Sequence, residues 1–217
     1  MNRLAVVVLA AGSSRRMGDF KLLKKIGDST VLEMTLRAAS SLDAYPKVVV
    51  LGHRFNEVDS QIHSKEWIKV FNPDYMNGIS TSLKAGFRAL PAETDAVMVA
   101  LADQPLVEVS TLHTLVERHF EANALATIPV YKSRRGNPVI LSYALKTRIL
   151  TLEGDVGARK ILEQESDKVQ LVKVEDPGVV MDLDTPEDFS RALQLLESRK
   201  QLKWSGDSCR SPGDQSP

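Results

Sequence analysis

Apolar, β-branched runs alternate with stretches of helical spacing along most of the chain. Leu4–Ala10 (LAVVVLA), Lys47–Leu51, Ile68–Phe71 and Ala96–Leu101 (AVMVAL) read as strands. Between them, Val31–Ser41 places Leu32, Leu36 and Ala39 on one helical face, and Ser80–Leu90 does the same with Leu83 and Phe87. Asn56–His63 is a weaker helix and Ser110–Ala122 a stronger one. This alternation predicts parallel strands joined by right-handed crossover helices. The rhythm changes after residue 124. Short strands at Ala126–Val130 and Pro138–Leu141 flank the polar, basic turn KSRRGN. Helices at Ala144–Leu150 and Ala158–Glu165 follow, then a strand at Val169–Val174 and an extended Val179–Met181 entering an acidic turn. A last helix spans Pro186–Ser198, with Thr185 as its N-cap, Pro186 at the first helical position and Asp188 two further on. The pattern supports one α/β domain over residues 1–200. The segment 204–217, WSGDSCRSPGDQSP, is rich in Gly, Ser, Pro and Asp. Residues 201–217 are therefore expected to form a disordered tail.

Composition narrows the possibilities. Of 217 residues, 43% are hydrophobic, enough for a real core, and 28 basic residues balance 28 acidic ones. A nucleic-acid binder shows a basic excess or patch, and neither that nor a polybasic membrane surface is visible. The longest apolar run, Leu4 to Ala11, is too short to span a bilayer. A signal-peptide core can be that short, but arginines and a βα pattern follow at once, so the run is expected to be a first strand. The single cysteine, Cys209, permits no disulfide within the chain. That fits a reducing compartment, and the expected location is cytoplasmic.

The first strand runs into a Gly-containing turn, and the joint segment reads LAVVVLAAGSSRRMGDFK. A strand feeding such a turn presents backbone N–H groups to phosphates, and cations just downstream can neutralise them. Neither common phosphate loop fits. Gly12 and Gly18 have five residues between them and Asp19 next, unlike G-x-x-x-x-G-K-[ST], and Gly12 stands alone after the strand, unlike G-x-G-x-x-G. Asp103, in ADQP directly after AVMVAL, sits where α/β proteins bind ligands and is placed for a Mg²⁺ that also touches phosphate. Asp182 and Asp184, two apart in MDLDTPEDF, share a face if the segment is extended, and either or both can complete the metal shell. No Ser-His-Asp arrangement is readable, and the four histidines fall outside every motif except the neighbourhood of a βα turn at Gly52-His53, so none is assigned a catalytic role.

The pattern A-A-G-x-S-x-R-M-G, with Lys21 three residues on, resembles the signature of the nucleotidyltransferases related to the molybdenum-cofactor enzymes. Five segments in the family's order carry the resemblance over residues 4–198. It points to cytidylyltransferases of the MocA type, within a family that also holds a guanylyl-transferring branch. The resemblance implies a Rossmann-like, three-layer, mainly parallel sheet of the nucleotide-diphospho-sugar transferase type. It implies nucleotide binding by Leu9, Ala10, Ala11, Gly12, Ser14, Arg16 and Lys21, and by Gly78, Ser80 and Ser82 of NPDYMNGISTSLKAG. It assigns catalysis to Arg16, Lys21 and Asp103, and Mg²⁺ to Asp103 with Asp182 or Asp184. Arg135 and Asn137 of RRGNP, with Asp155 and Arg159 of GDVGAR, match the acceptor-side segments. The guanylyl branch typically has Gly-Gly where this chain has Ala11-Gly12, and a methyl there would narrow the space for a purine. The implied reaction moves CMP from CTP to the terminal phosphate of the molybdopterin (molybdenum) cofactor and releases pyrophosphate, with a xanthine-dehydrogenase-type molybdoenzyme as downstream partner. Two alternatives stay open: a same-fold transferase using GTP or a sugar phosphate, and a carrier that hands finished cofactor to a molybdoenzyme.

Overall fold

The computed structural model describes residues 2–13 and 20–207. The strands are β1 (Leu4–Ala10), β2 (Lys25–Ile26), β3 (Ser29–Thr30), β4 (Lys47–Leu51), β5 (Trp67–Phe71), β6 (Ala96–Leu101), β7 (Ala126–Tyr131), β8 (Arg134–Arg135), β9 (Val139–Ser142) and β10 (Val169–Lys173). The helices are α1 (Val31–Ser40), α2 (Phe55–Gln61), α3 (Ile79–Arg88), α4 (Val109–Ala122), α5 (Lys146–Leu150), α6 (Arg159–Glu163) and α7 (Pro186–Asp207). One sheet runs β10-β7-β9-β6-β1-β4-β5, with β8 on β7, and β2–β3 form a separate hairpin. Strands β6, β1, β4 and β5 are parallel, as are β7 and β10, while β9 is antiparallel to both β6 and β7. β7 therefore points the same way as β6, and the carboxyl ends of all the parallel strands share one edge.

The central strands are buried on both faces, which is why they read as unbroken apolar runs rather than alternating ones. Val6, Val8, Met98 and Ile140 face α1, α4 and α7, where Leu32, Leu36, Leu115 and Ala192 complete one core. Val7, Val50, Val97 and Leu141 face α3, α5 and α6, where Leu83, Phe87, Ile149 and Ile161 complete the other. The result is the three-layer, mainly parallel architecture expected from the sequence. No helix among the described residues is long and apolar enough to cross a membrane.

The structure departs from the expected elements in several places, among them strand β8 within the KSRRGN turn. Val179 lies in a 3-10 turn, Pro177–Val180, not in an extended run. The β2–β3 hairpin, turned by Gly27 at φ +64°, was not expected. Helix α7 continues past Ser198 to Asp207, so the first part of the expected tail is helical. Residues 208–217, including Cys209, lie outside the described residues.

Candidate active site

Three residues from distant parts of the chain meet at the carboxyl edge of the sheet. The Lys21 ammonium donates to Asp103 Oδ2 at 2.6 Å and to Asp184 Oδ1 at 2.7 Å. Lys21 is only 8% exposed. It opens a 3-10 turn between Phe20 and Leu22, both 3% exposed, whose burial fixes the lysine between them. Burial alone would lower the lysine's pKa, but the charges and hydrogen bonds of Asp103 and Asp184 outweigh it, and the net shift is upward. The lysine is held as an ammonium.

Each carboxylate is positioned by backbone. Asp103 follows Ala102, whose N–H donates to Leu9 O at 3.1 Å and whose carbonyl accepts from Thr35 Oγ1 at 3.0 Å. The carbonyl of Asp103 accepts from Leu183 N at 3.1 Å, which draws the MDLD segment onto the end of β6. Asp184 precedes the N-terminus of α7. There Thr185 Oγ1 accepts from Asp188 N, and the Asp188 carboxylate accepts from the N–H groups of both Thr185 and Asp184. This reciprocal cap starts the helix and fixes Asp184 together.

Asp182 does not join them. Its Oδ1 accepts from Gln104 Nε2 at 2.7 Å, and burial pushes its carboxyl pKa up, partly offset by that bond. Gln104 is 5% exposed, and its Oε1 has no hydrogen-bond partner. Among the described residues, no group of three or more His, Cys, Asp or Glu side chains is arranged to hold a metal ion. Of the two aspartates that could join Asp103, Asp184 thus converges with it on Lys21, while Asp182 is bonded to Gln104. The pair does suit a cation, because carboxylate oxygens from two elements already converge on one positive nitrogen. Mg²⁺ is commonly held by one or two carboxylates plus substrate phosphates.

Above this cluster lies a cavity of about 610 Å³. Its floor is the end of β1, Leu9 to Gly12, and its walls include Tyr75, Gly78, Ser82 and Asp155. The volume falls in the range, roughly 300–1,000 Å³, of small-molecule sites. A model of the MobA-like NTP transferase domain matches residues 6–169. The chain belongs to that family. Among its relatives, the molybdenum cofactor cytidylyltransferase of Escherichia coli (strain K12) is 26% identical over 89% of this chain and 97% of its own length. A protein named nicotine blue oxidoreductase, from Paenarthrobacter nicotinovorans, is 30% identical over 86% of this chain and 95% of its own. The crystal structure of Rv0371c from Mycobacterium tuberculosis H37Rv superposes with a TM-score of 0.79 at 26% identity, covering 89% of this chain and 98% of that one. A complex of the same protein with manganese gives 0.74 at 25% identity, covering 89% and 99%.

In this MobA-like domain the remaining candidates fall into distinct places. Leu9, Ala10, Ala11, Gly12, Gly78 and Ser82 line the cavity with Lys21 and Asp103, whereas Ser14 and Arg16, like Met17 and Gly18, lie outside the described residues. Ser80 is fully buried, does not line the cavity, and its Oγ has no partner. Gly78, at φ +102°, has no room for a Cβ because the Gly154–Asp155 backbone packs against it. Asp155 lines the cavity and accepts from Ile79 N at 3.2 Å, at the start of α3. Arg135 is exposed, Asn137 N donates to Val179 O, and Arg159 pairs with Glu163 on an open surface. None of these three lines the cavity. Three residues that brace the site have no role assigned from the sequence: Gln104 within ADQP, Phe20 just before Lys21, and His53. The His53 ring lies between Phe20 and Tyr75, with centroids 5.6 Å and 6.0 Å away.

Proposed function

We propose that this transferase-family domain moves CMP from CTP to the terminal phosphate of a molybdopterin cofactor and releases pyrophosphate. The observation that carries this reading is Lys21 held between Asp103 and Asp184 beneath a nucleotide-sized cavity. The named activity of the E. coli relative supports the choice of substrates. Asp103 and Asp184 would hold Mg²⁺, and the manganese complex of Rv0371c supports a divalent cation. When bound, the metal supplies Lewis-acid charge neutralisation on the phosphates.

The acceptor's phosphate oxygen attacks the α-phosphorus, one P–O bond forms, and the bond to the β-phosphate breaks. The nucleophile is already anionic near neutral pH, so no side chain has to remove a proton. That suits a cavity whose lining, among the described residues, offers one ammonium, carboxylates and the Tyr75 phenol but no histidine. The chain's work is positioning and charge complementarity. Lys21 stabilises charge on the departing pyrophosphate, Arg16 adds to it, and Gly78 and Ser82 offer backbone and hydroxyl groups to the nucleoside. Asp155 and the segments bearing Arg135, Asn137 and Arg159 serve the acceptor side.

Pyrophosphate release measured with CTP or GTP, against molybdopterin cofactor and sugar phosphates, tests the reading. Release with CTP and the molybdopterin cofactor alone is expected, abolished by chelator and restored by Mg²⁺. Release only with GTP or only with a sugar phosphate overturns the substrate assignment, and no release with any pair overturns the activity.

A further inference from the structure

Ala11, Gly52 and Tyr75 meet at a single point behind the cavity. A Cβ built on Gly52 would lie 2.8 Å from Ala11 Cβ and 2.8 Å from both Cβ and Cγ of Tyr75. Gly52 is not among the glycines with positive φ, so its backbone does not demand glycine. What is missing is room: the Ala11 methyl and the Tyr75 ring already fill the space over it. Ala11 is 4% exposed, and its carbonyl accepts from His53 N at 3.2 Å. The Tyr75 hydroxyl lies 3.4 Å from His53 Nδ1. Ala11 and the root of the Tyr75 side chain therefore border the same point over Gly52, His53 borders the ring at its tip, and Tyr75 itself lines the cavity.

This geometry changes how Ala11 can act. The Ala11 methyl shares the space over Gly52 with the root of the Tyr75 side chain, so its bulk bears on where that ring sits. We propose that Tyr75 sets the width of the base compartment, and that Ala11 selects pyrimidine over purine through Tyr75. A glycine at position 11 lets the ring settle toward the strand ends, which opens the compartment to a second fused ring. The proposal rests on the nucleotide reading above.

The experiment is a double-mutant cycle read by equilibrium binding of CTP and GTP to the full chain with Mg²⁺, alongside melting temperatures. The unmodified protein is expected to bind CTP roughly 10–200-fold more tightly than GTP, the scale of steric discrimination in a pocket. Tyr75→Ala and Ala11→Gly should each bring that ratio toward one. In the Tyr75→Ala background, Ala11→Gly should change the ratio by less than about twofold, since a residue acting through an absent ring has nothing left to move. Tyr75→Phe keeps the ring and should keep the ratio. If Tyr75→Ala does not fold, Tyr75→Val replaces it. Multiplying effects of the two substitutions would mean that Ala11 acts directly and would overturn the proposal. So would selectivity that survives Tyr75→Ala, with the nucleotide reading left standing. Loss of selectivity in Tyr75→Phe would assign it to the hydroxyl and overturn the steric account. If the unmodified protein binds neither nucleotide, or prefers GTP, the CTP reading fails and the proposal with it.

Discussion

At the residue scale, the aspartates near Lys21 are chemically alike and differ only in what they touch. Asp184 meets the lysine, whereas Asp182 meets Gln104. Asp184→Asn and Asp103→Asn should therefore lower kcat roughly 10²–10³-fold, the cost of removing one preorganised electrostatic group. Asp182→Asn should cost less than tenfold, by roughly the same scale of argument. Steady-state turnover beside melting temperatures checks the ordering, and equal losses from Asp182→Asn and Asp184→Asn would remove the distinction. The sequence could not make it, because two positions in MDLD share a face whenever the segment is extended. The deciding contact comes from Gln104, 78 residues away. Lys21 and Asp103 were readable because each follows a strongly apolar strand or its turn. Tyr75 and His53 were not, since their roles are contacts between loops that no local spacing encodes.

At the scale of elements, α4 docks on β7 through a buried polar pair. His119 is 3% exposed, and its Nδ1 lies 3.0 Å from Thr127 Oγ1. Burial pushes the His119 pKa down to about 4. Between that value and the ordinary one near 6.5, the unfolded chain binds a proton that the folded chain refuses. Stability from this group is complete above about pH 6.5 and falls as pH drops toward 4, by up to about 3 kcal/mol. His119→Gln keeps a side-chain partner for Thr127 without titrating. Urea unfolding at pH 7 and pH 5 should show a smaller loss for the variant than for the unmodified protein. An equal loss would place the acid sensitivity elsewhere. The elements themselves were readable in proportion to their hydrophobic contrast. β4 and β6 match the expected bounds because they are continuous apolar runs between polar turns. The two-residue strands β2, β3 and β8 are too short to show a period, and their pairing is tertiary. The sequence of the far end of α7, KQLKWSGD, carries no apolar period, so nothing in its pattern marked where the helix stops.

Across the whole molecule, α7 is fastened at two distant points. Its start is tied to Asp103 through Leu183, and further along it Arg199 donates to Leu106 O at 2.7 Å and to Asp176 at 2.8 Å. Asp176 is 3% exposed, so Arg199→Ala would leave a buried carboxylate without its counter-ion and should cost about 3 kcal/mol in urea unfolding. Arg118→Ala, which opens an exposed pair with Glu121, should cost less than about 1 kcal/mol. Similar values for both would show that α7 is not held by this clamp. The fastening also bears on how binding and folding are coupled. The lysine and its two carboxylates are separated by 82 and 163 positions along the chain, so no fragment short of nearly the whole domain contains the set. A ligand gripped there recognises only the completed fold. Its binding energy is then shared by every element: a concentration 100 times the dissociation constant would raise global stability by about 2.7 kcal/mol, and hydrogen exchange would slow in the core far from the cavity as well as beside it.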